Sequence, residues 1–85
     1  MNWTVLIDGY AKKYLKRISR KDADRIRETL KELQYNPYAG DIEKVEGQKD
    51  AWRRRIGSYR ILYEVYGDKK IIYVSEIKRR TSSTY

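Results

Sequence analysis

Hydrophobic positions along this chain change period near its middle. Residues 2–7, NWTVLI, are rich in β-branched and aromatic side chains and predict a strand. Asp8-Gly9 breaks it, and Asp8 has the side chain to cap a helix starting there. Tyr10, Ala11, Tyr14, Leu15 and Ile18 then share one helix face, while Lys12, Lys13, Lys16 and Arg17 fill the other. Ser19 opens S-R-K-D, a capping-box-like signal with Asp where Glu is preferred. Ala23, Ile26, Leu30 and Leu33 come next at spacings of three, four and three, which predicts a second amphipathic helix. Asn36-Pro37 ends it, because a residue before proline avoids the helical region.

Past Gly40 the period falls to two. Residues 41–46 predict a short polar strand and residues 47–50 a turn. Residues 51–56, 59–66 and 70–77 predict strands, separated by Gly57-Ser58 and Gly67-Asp68. Both breaks have tight-turn chemistry, so these strands should form an antiparallel meander. The fold expected is α+β: an N-terminal strand, two amphipathic helices, then a meander of three to four strands. The helices should pack on one face of the twisted sheet. The last eight residues, KRRTSSTY, lack apolar periodicity and read as an extension past the final strand. All 85 residues read as a single domain.

Composition narrows the chemistry. There is no Cys and no His, which removes thiol nucleophiles, zinc ribbons and the commonest acid–base group near neutral pH. The acids do not cluster as metal ligands, and no P-loop, G-x-S-x-G or dinucleotide fingerprint is present, so neither metal nor cofactor is expected. No apolar stretch approaches the roughly 20 residues that cross a bilayer, and the N-terminus does not read as a signal peptide. The expectation is an intracellular, cytoplasmic chain without a membrane role.

Net charge is +8, and residues 51–85 carry +6 of it. Such a basic half favours a polyanion or an acidic protein as partner. Strand alternation puts Arg53 and Arg55 on one face and Trp52, Arg54 and Ile56 on the other. In the next strand Tyr59, Ile61, Tyr63 and Val65 share a face, opposite Arg60, Leu62 and Glu64. If the apolar set faces the helices, Arg53, Arg55 and Arg60 stand together on the open face. Arg54 then falls on the covered side and should reach water along its stem. The strand of Arg53 and Arg55 carries no acid, and the three arginines repel one another unless an anion sits among them, so the face reads either as a solvated surface or as a phosphate cradle. An enzyme limited to Arg, Lys, Tyr, Ser and carboxylates suits RNA cleavage, where the 2′-OH of the substrate is the nucleophile.

The segment VEGQKDAWRRRIGSYRILYEV, residues 45–65, with Asn36-Pro37 upstream and KRRTSSTY at 78–85, resembles the RelE toxins of the RelE/ParE superfamily. The resemblance covers essentially the whole chain, and its core is G-x-Y-R-hydrophobic-hydrophobic-Y at residues 57–63. It implies a type II toxin–antitoxin toxin acting as a ribosome-dependent mRNA endoribonuclease. Two strand lysines of the family fall on Arg53 and Arg55, the Arg of its Y-R motif on Arg60, an Arg after the last strand on Arg79, and a Tyr six residues later on Tyr85. The resemblance assigns these five to catalysis: Tyr85 to activate the 2′-OH, the arginines to stabilise charge on phosphorus and on the leaving group. The implied product carries a 2′,3′-cyclic phosphate, and no metal is needed. Arg replaces Lys at 53 and 55, which reads as charge stabilisation, since a guanidinium transfers protons poorly. Arg54, Lys78 and Arg80 read as RNA-binding. The implied partners are the ribosome, mRNA and an acidic, helical, RelB-like antitoxin in a hetero-oligomer. Two alternatives stay open: a ParE-like gyrase inhibitor without nuclease activity, and a non-catalytic basic RNA-binding module.

Overall fold

The computed structural model describes residues 2–79; Arg80 and Tyr85 lie outside the described residues. The elements run β1 (Thr4–Ile7), α1 (Gly9–Arg17), α2 (Arg20–Tyr35), β2 (Ile42–Lys44), β3 (Ala51–Ile56), β4 (Tyr59–Tyr66) and β5 (Ile71–Arg79). Local chemistry sets the helix ends. The Asp8 carboxylate accepts the Tyr10 N–H at 3.0 Å, and the Ser19 hydroxyl accepts the Asp22 N–H at 3.2 Å. At the far end of α2, the Asn36 side chain accepts the Tyr38 N–H at 3.0 Å and turns the chain around Pro37.

The five strands form one sheet in the order β1-β5-β4-β3-β2. Strands β2 to β5 are the expected antiparallel meander. Strand β1 adds parallel to β5 at the edge, pairing Thr4 with Ile71 and Ile7 with Val74, so the sheet is mixed. β1 and β5 are the first and last strands, so all of the intervening helices and strands connect them, far more than the dozen residues a parallel pair requires. Both helices lie on one face. Ala11 and Leu15 of α1, and Ala23, Ile26, Leu30 and Leu33 of α2, pack on Tyr59, Ile61, Tyr63, Val65, Ile72, Val74 and Ile77. Tyr63 is 1% exposed, and its hydroxyl donates to the Pro37 carbonyl at 2.6 Å. Burial pushes its phenol up to about 12. Among the described residues no helix is long and apolar enough to cross a membrane.

Two details of β5 differ from the sequence expectation. The strand extends through Lys78 and Arg79, because β4 begins at Tyr59 and its backbone pairs Arg60 with Lys78 and Tyr59 with Arg79. A bulge also interrupts β5: Tyr63 faces Val74 while Leu62 faces Glu76, leaving Ser75 between them. The Ser75 hydroxyl donates to the Leu62 carbonyl at 3.2 Å. Buried positions accordingly step from Ile72 and Val74 to Ile77, and the facing of every later residue is inverted.

Candidate RNA-phosphate site

The open face of the sheet carries the basic cluster. Arg53 and Arg55 are two apart on β3 and so share a face. The β3–β4 hairpin turns on Gly57, whose φ of +55° suits a Gly-first tight turn, and it sets Arg55 directly opposite Arg60. The bulge in β5 then places Lys78 opposite Arg60 on the same face. The result is a row across three strands, Arg55, Arg60 and Lys78, with Arg53 one step along β3 beside Leu62. Like charges directly opposite in a sheet repel. The Nε atoms of Arg55 and Arg60 are shielded from solvent and have no hydrogen-bond partner.

The carboxylates near this row sit at its margins. Glu43 of β2 accepts from Arg53 at 3.2 Å and from Arg55 at 3.4 Å, both through Oε1. Glu76 lies 3.9 Å from Lys78. Arg60 has no ion pair among the described residues. The anion that the sequence required among the arginines is therefore partly supplied by Glu43, a neighbour in the sheet that is distant along the chain. Beside Arg53 an open groove of about 830 Å³ runs along Glu43 and the loop at residues 44–49.

Arg54 obeys the alternation and lies on the covered face, as expected, but its stem does not run out to water. Its side chain is 11% exposed; it donates to the Ala39 carbonyl at 3.0 Å and to Glu32 of α2 at 2.9 Å. Gly40 makes the seat: a Cβ there would stand 2.3 Å from the Arg54 guanidinium carbon, and the φ of +80° already favours glycine. This guanidinium points away from the Arg53, Arg55 and Arg60 face and is held by contacts within the chain.

Arg79 also leaves the row. Cross-strand from Tyr59, it lies on the helix-covered side with its guanidinium 5.7 Å over the Tyr59 ring. Tyr59 donates to Asp22 at 2.8 Å, and that hydrogen bond raises its phenol above the ordinary value. The structure thus brings together Arg53, Arg55 and Arg60, adds Lys78, and puts Arg54 and Arg79 on the other face. Sequence reasoning gave no place to Glu43. Its signal was present, as an acid on a short polar strand preceding the arginine strand. A further signal was the shift from spacing two to spacing three among Ile72, Val74 and Ile77, which marks the bulge.

Chemically, the row offers several guanidinium donors and an ammonium to a diester phosphate, with little competition from acids around Arg60. Arg holds phosphate oxygens bidentately and stays charged at every physiological pH.

Comparison with known proteins shows the family of the chain. Residues 5–83 match the family model described as ParE toxin of type II toxin-antitoxin system, parDE. The chain is 31% identical over 83 residues to the toxin candidate RelE1 of Methanocaldococcus jannaschii, covering 94% of this chain and 92% of that one. The archaeal RelE–RelB complex from Pyrococcus horikoshii OT3 contains a chain with TM-score 0.85 and 30% identity, covering 98% of this chain and 100% of its own. The isolated RelE toxin of E. coli shares the fold, with TM-score 0.82 at 20% identity over 95% of this chain and 87% of that one.

Proposed function

We propose that this chain, which belongs to the ParE toxin family of type II toxin–antitoxin systems and is RelE-like within that superfamily, cleaves mRNA on the ribosome and so arrests translation. The observation that carries the reading is the cross-strand row Arg55, Arg60 and Lys78 flanked by Arg53, a set of cations aimed at one open face. A phosphodiester seated on that row gains charge in the transition state, when the 2′-OH adds to phosphorus. Fixed guanidinium groups stabilise that charge without reorganising.

In this reading the 2′-oxygen forms a bond to phosphorus and the bond to the 5′-oxygen breaks. A 2′,3′-cyclic phosphate and a 5′-hydroxyl result. The 2′-OH proton goes to a base, and the leaving oxygen gains a proton. Arginine does neither job, so Arg53, Arg55 and Arg60 bind and stabilise. For Arg79, and for Tyr85 as the base, the assignment rests on the family resemblance alone. Arg80 is read as binding ribosomal RNA on the same basis. Arg54, held by Glu32 and Ala39 on the covered face, is engaged within the chain and is left out of the RNA-binding set. The site of action is the cytoplasm, where ribosomes are. The partner that silences the toxin is an acidic, helical antitoxin like the RelB of the archaeal complex, attracted by the net charge of +8.

The test is cleavage of mRNA on stalled ribosomes, with fragment ends mapped, by the wild type and by Arg55→Ala, Arg60→Ala and Tyr85→Phe. Losing one preorganised charge donor should slow cleavage by about 10²–10³-fold. Equal rates in all four proteins would sink the mechanism. No cleavage by the wild type would sink the endoribonuclease, and inhibition of gyrase supercoiling in its place would select the ParE-like alternative.

A further inference from the structure

The cationic row on the open face mixes two chemistries. Arg53, Arg55 and Arg60 carry guanidinium groups, while Lys78 carries an ammonium on a flexible stem. The cleavage proposed above ends with a 5′-oxygen that must gain a proton, and a guanidinium does not give one up. Other groups on this face are poorly placed to supply it. The Tyr66 and Tyr73 hydroxyls are committed to carboxylates, donating to Glu64 and Asp8. Tyr66 also pairs with Ile71, and Tyr73 with Glu64, toward the opposite end of the β4–β5 ladder from Arg60. Lys44 of β2 and Lys49 of the loop after it line the groove beside Arg53, and β3 lies between β2 and β4.

Lys78 is placed differently. It lies directly opposite Arg60 in the β4–β5 ladder, so the two side chains leave the same face about one strand spacing, roughly 5 Å, apart. The bulge at Ser75 is what puts it there: with an unbroken period of two, Lys78 would share the helix-covered face of Ile72 and Val74. Its carboxylate neighbour Glu76 is 3.9 Å away, and the Lys78 side chain is 49% exposed. A contact that long on a side chain that open holds the ammonium loosely and leaves it able to turn to a ligand. A phosphate gripped by Arg60 would therefore sit within reach of Lys78.

We propose that Lys78 is a catalytic residue of the cleavage, the general acid that protonates the leaving 5′-oxygen; this assignment rests on the proposed function. The 2′-oxygen bonds to phosphorus, and the bond from phosphorus to the 5′-oxygen breaks. The electron pair released on the 5′-oxygen takes a proton from the Lys78 ammonium. Lys78 is left as a neutral amine and regains its proton from water. The arginines stay charged throughout, so the row divides its work: the guanidinium groups hold the phosphate and its developing charge, and the ammonium supplies the proton. A positioned acid of this kind contributes about 10²–10⁴-fold to a rate.

The experiment measures single-turnover cleavage on stalled ribosomes with the full chain saturating, so that binding drops out of the rate. Two mRNAs are compared, one natural and one with sulfur in place of the 5′-oxygen at the mapped cut. A thiolate is far less basic than an alkoxide and departs without a proton. Lys78→Arg keeps the positive charge and removes the transferable proton. It should cut the natural mRNA at least about 10²-fold more slowly than the wild type, and the sulfur mRNA at the wild-type rate. Arg60→Ala, which loses grip on the phosphate, should be slow on both. Lys78→Arg as fast as the wild type on the natural mRNA overturns the proposal, because charge alone would then suffice. Equal slowing on both mRNAs also overturns it, and makes Lys78 a group that holds phosphate. Either result leaves wild-type cleavage, and with it the proposed function, standing. A wild type that cuts neither mRNA overturns the proposed function and this assignment with it.

Discussion

Neutralising Glu43 separates the electrostatic role of the arginine face from its contribution to stability. The Glu43 carboxylate lies 3.2 Å from Arg53 and 3.4 Å from Arg55, on side chains that are 54%, 26% and 40% exposed respectively. Ion pairs this open contribute about 0–1 kcal/mol to folding, so Glu43→Gln should lower stability by no more than about 1 kcal/mol. RNA binding should move the other way. A phosphate gripped by the same Arg55 guanidinium sits roughly 7 Å from the carboxylate, one hydrogen bond beyond the far edge of the group. At that distance the repulsion is about 0.6 kcal/mol in a water-like medium and about 2.4 kcal/mol at an effective dielectric constant of 20. The exposure argues for the lower end. Relief of about 0.6–1 kcal/mol is a gain of about three- to fivefold in affinity. The assay is fluorescence anisotropy with a short single-stranded RNA carrying a 2′-O-methyl group at each position, which blocks cleavage. Glu46→Gln serves as the control, because Glu46 is exposed and makes no ion pair among the described residues. The gain should vanish near 1 M salt, where screening acts within about 3 Å. Glu43→Gln binding no tighter than wild type, or no tighter than Glu46→Gln, refutes the reasoning.

Three further outcomes rest on the packing and the titrating groups. Gly40→Ala puts a Cβ 2.3 Å from the Arg54 guanidinium at a φ of +80°; it should cost about 2–4 kcal/mol, from backbone strain plus the displaced hydrogen bonds, seen as a fall of about 10–25 °C in Tm. Tyr63→Phe removes the donor to the buried Pro37 carbonyl and should cost about 1–2 kcal/mol in urea unfolding. Because the folded pKa of Tyr63 is raised to about 12, its contribution is complete below the ordinary value of 10.0 and is lost as pH climbs through the raised one, so the phenylalanine variant should show a flatter alkaline limb. Asp8 is held below its ordinary value of 3.8, first by the Tyr73 hydroxyl and then by the Tyr10 N–H. A lowered folded pKa stabilises above the unfolded value and is lost as pH falls through the folded one, so Asp8→Asn should flatten the acid limb of Tm against pH. An unchanged limb would refute that assignment.

Much of the fold is legible in the sequence because its signals are local. The spacings in α1 and α2, the Ser19 and Asp8 caps, the Asn36-Pro37 stop and the Gly57 turn each act within a few residues. Alternation along β3 and β4 likewise suffices to put Arg53, Arg55 and Arg60 on one face, opposite Arg54. The family resemblance, carried by the motif at residues 57–63 and borne out over residues 5–83, was also present in the letters alone. Tertiary structure decided what depends on register and on partners distant along the chain. It paired β1 with β5 in parallel, and it drew Arg54 to Glu32 and Ala39 over 15 residues or more. It also set Glu43 between two arginines ten and twelve residues away. Above all, one extra residue at Ser75 reversed the facing of the end of β5. Lys78 therefore completes the row with Arg60, while Arg79 turns to Tyr59 on the other side. A bulge costs the sheet only a local break in the ladder, yet with a side-chain period of two it exchanges the faces of every residue beyond it.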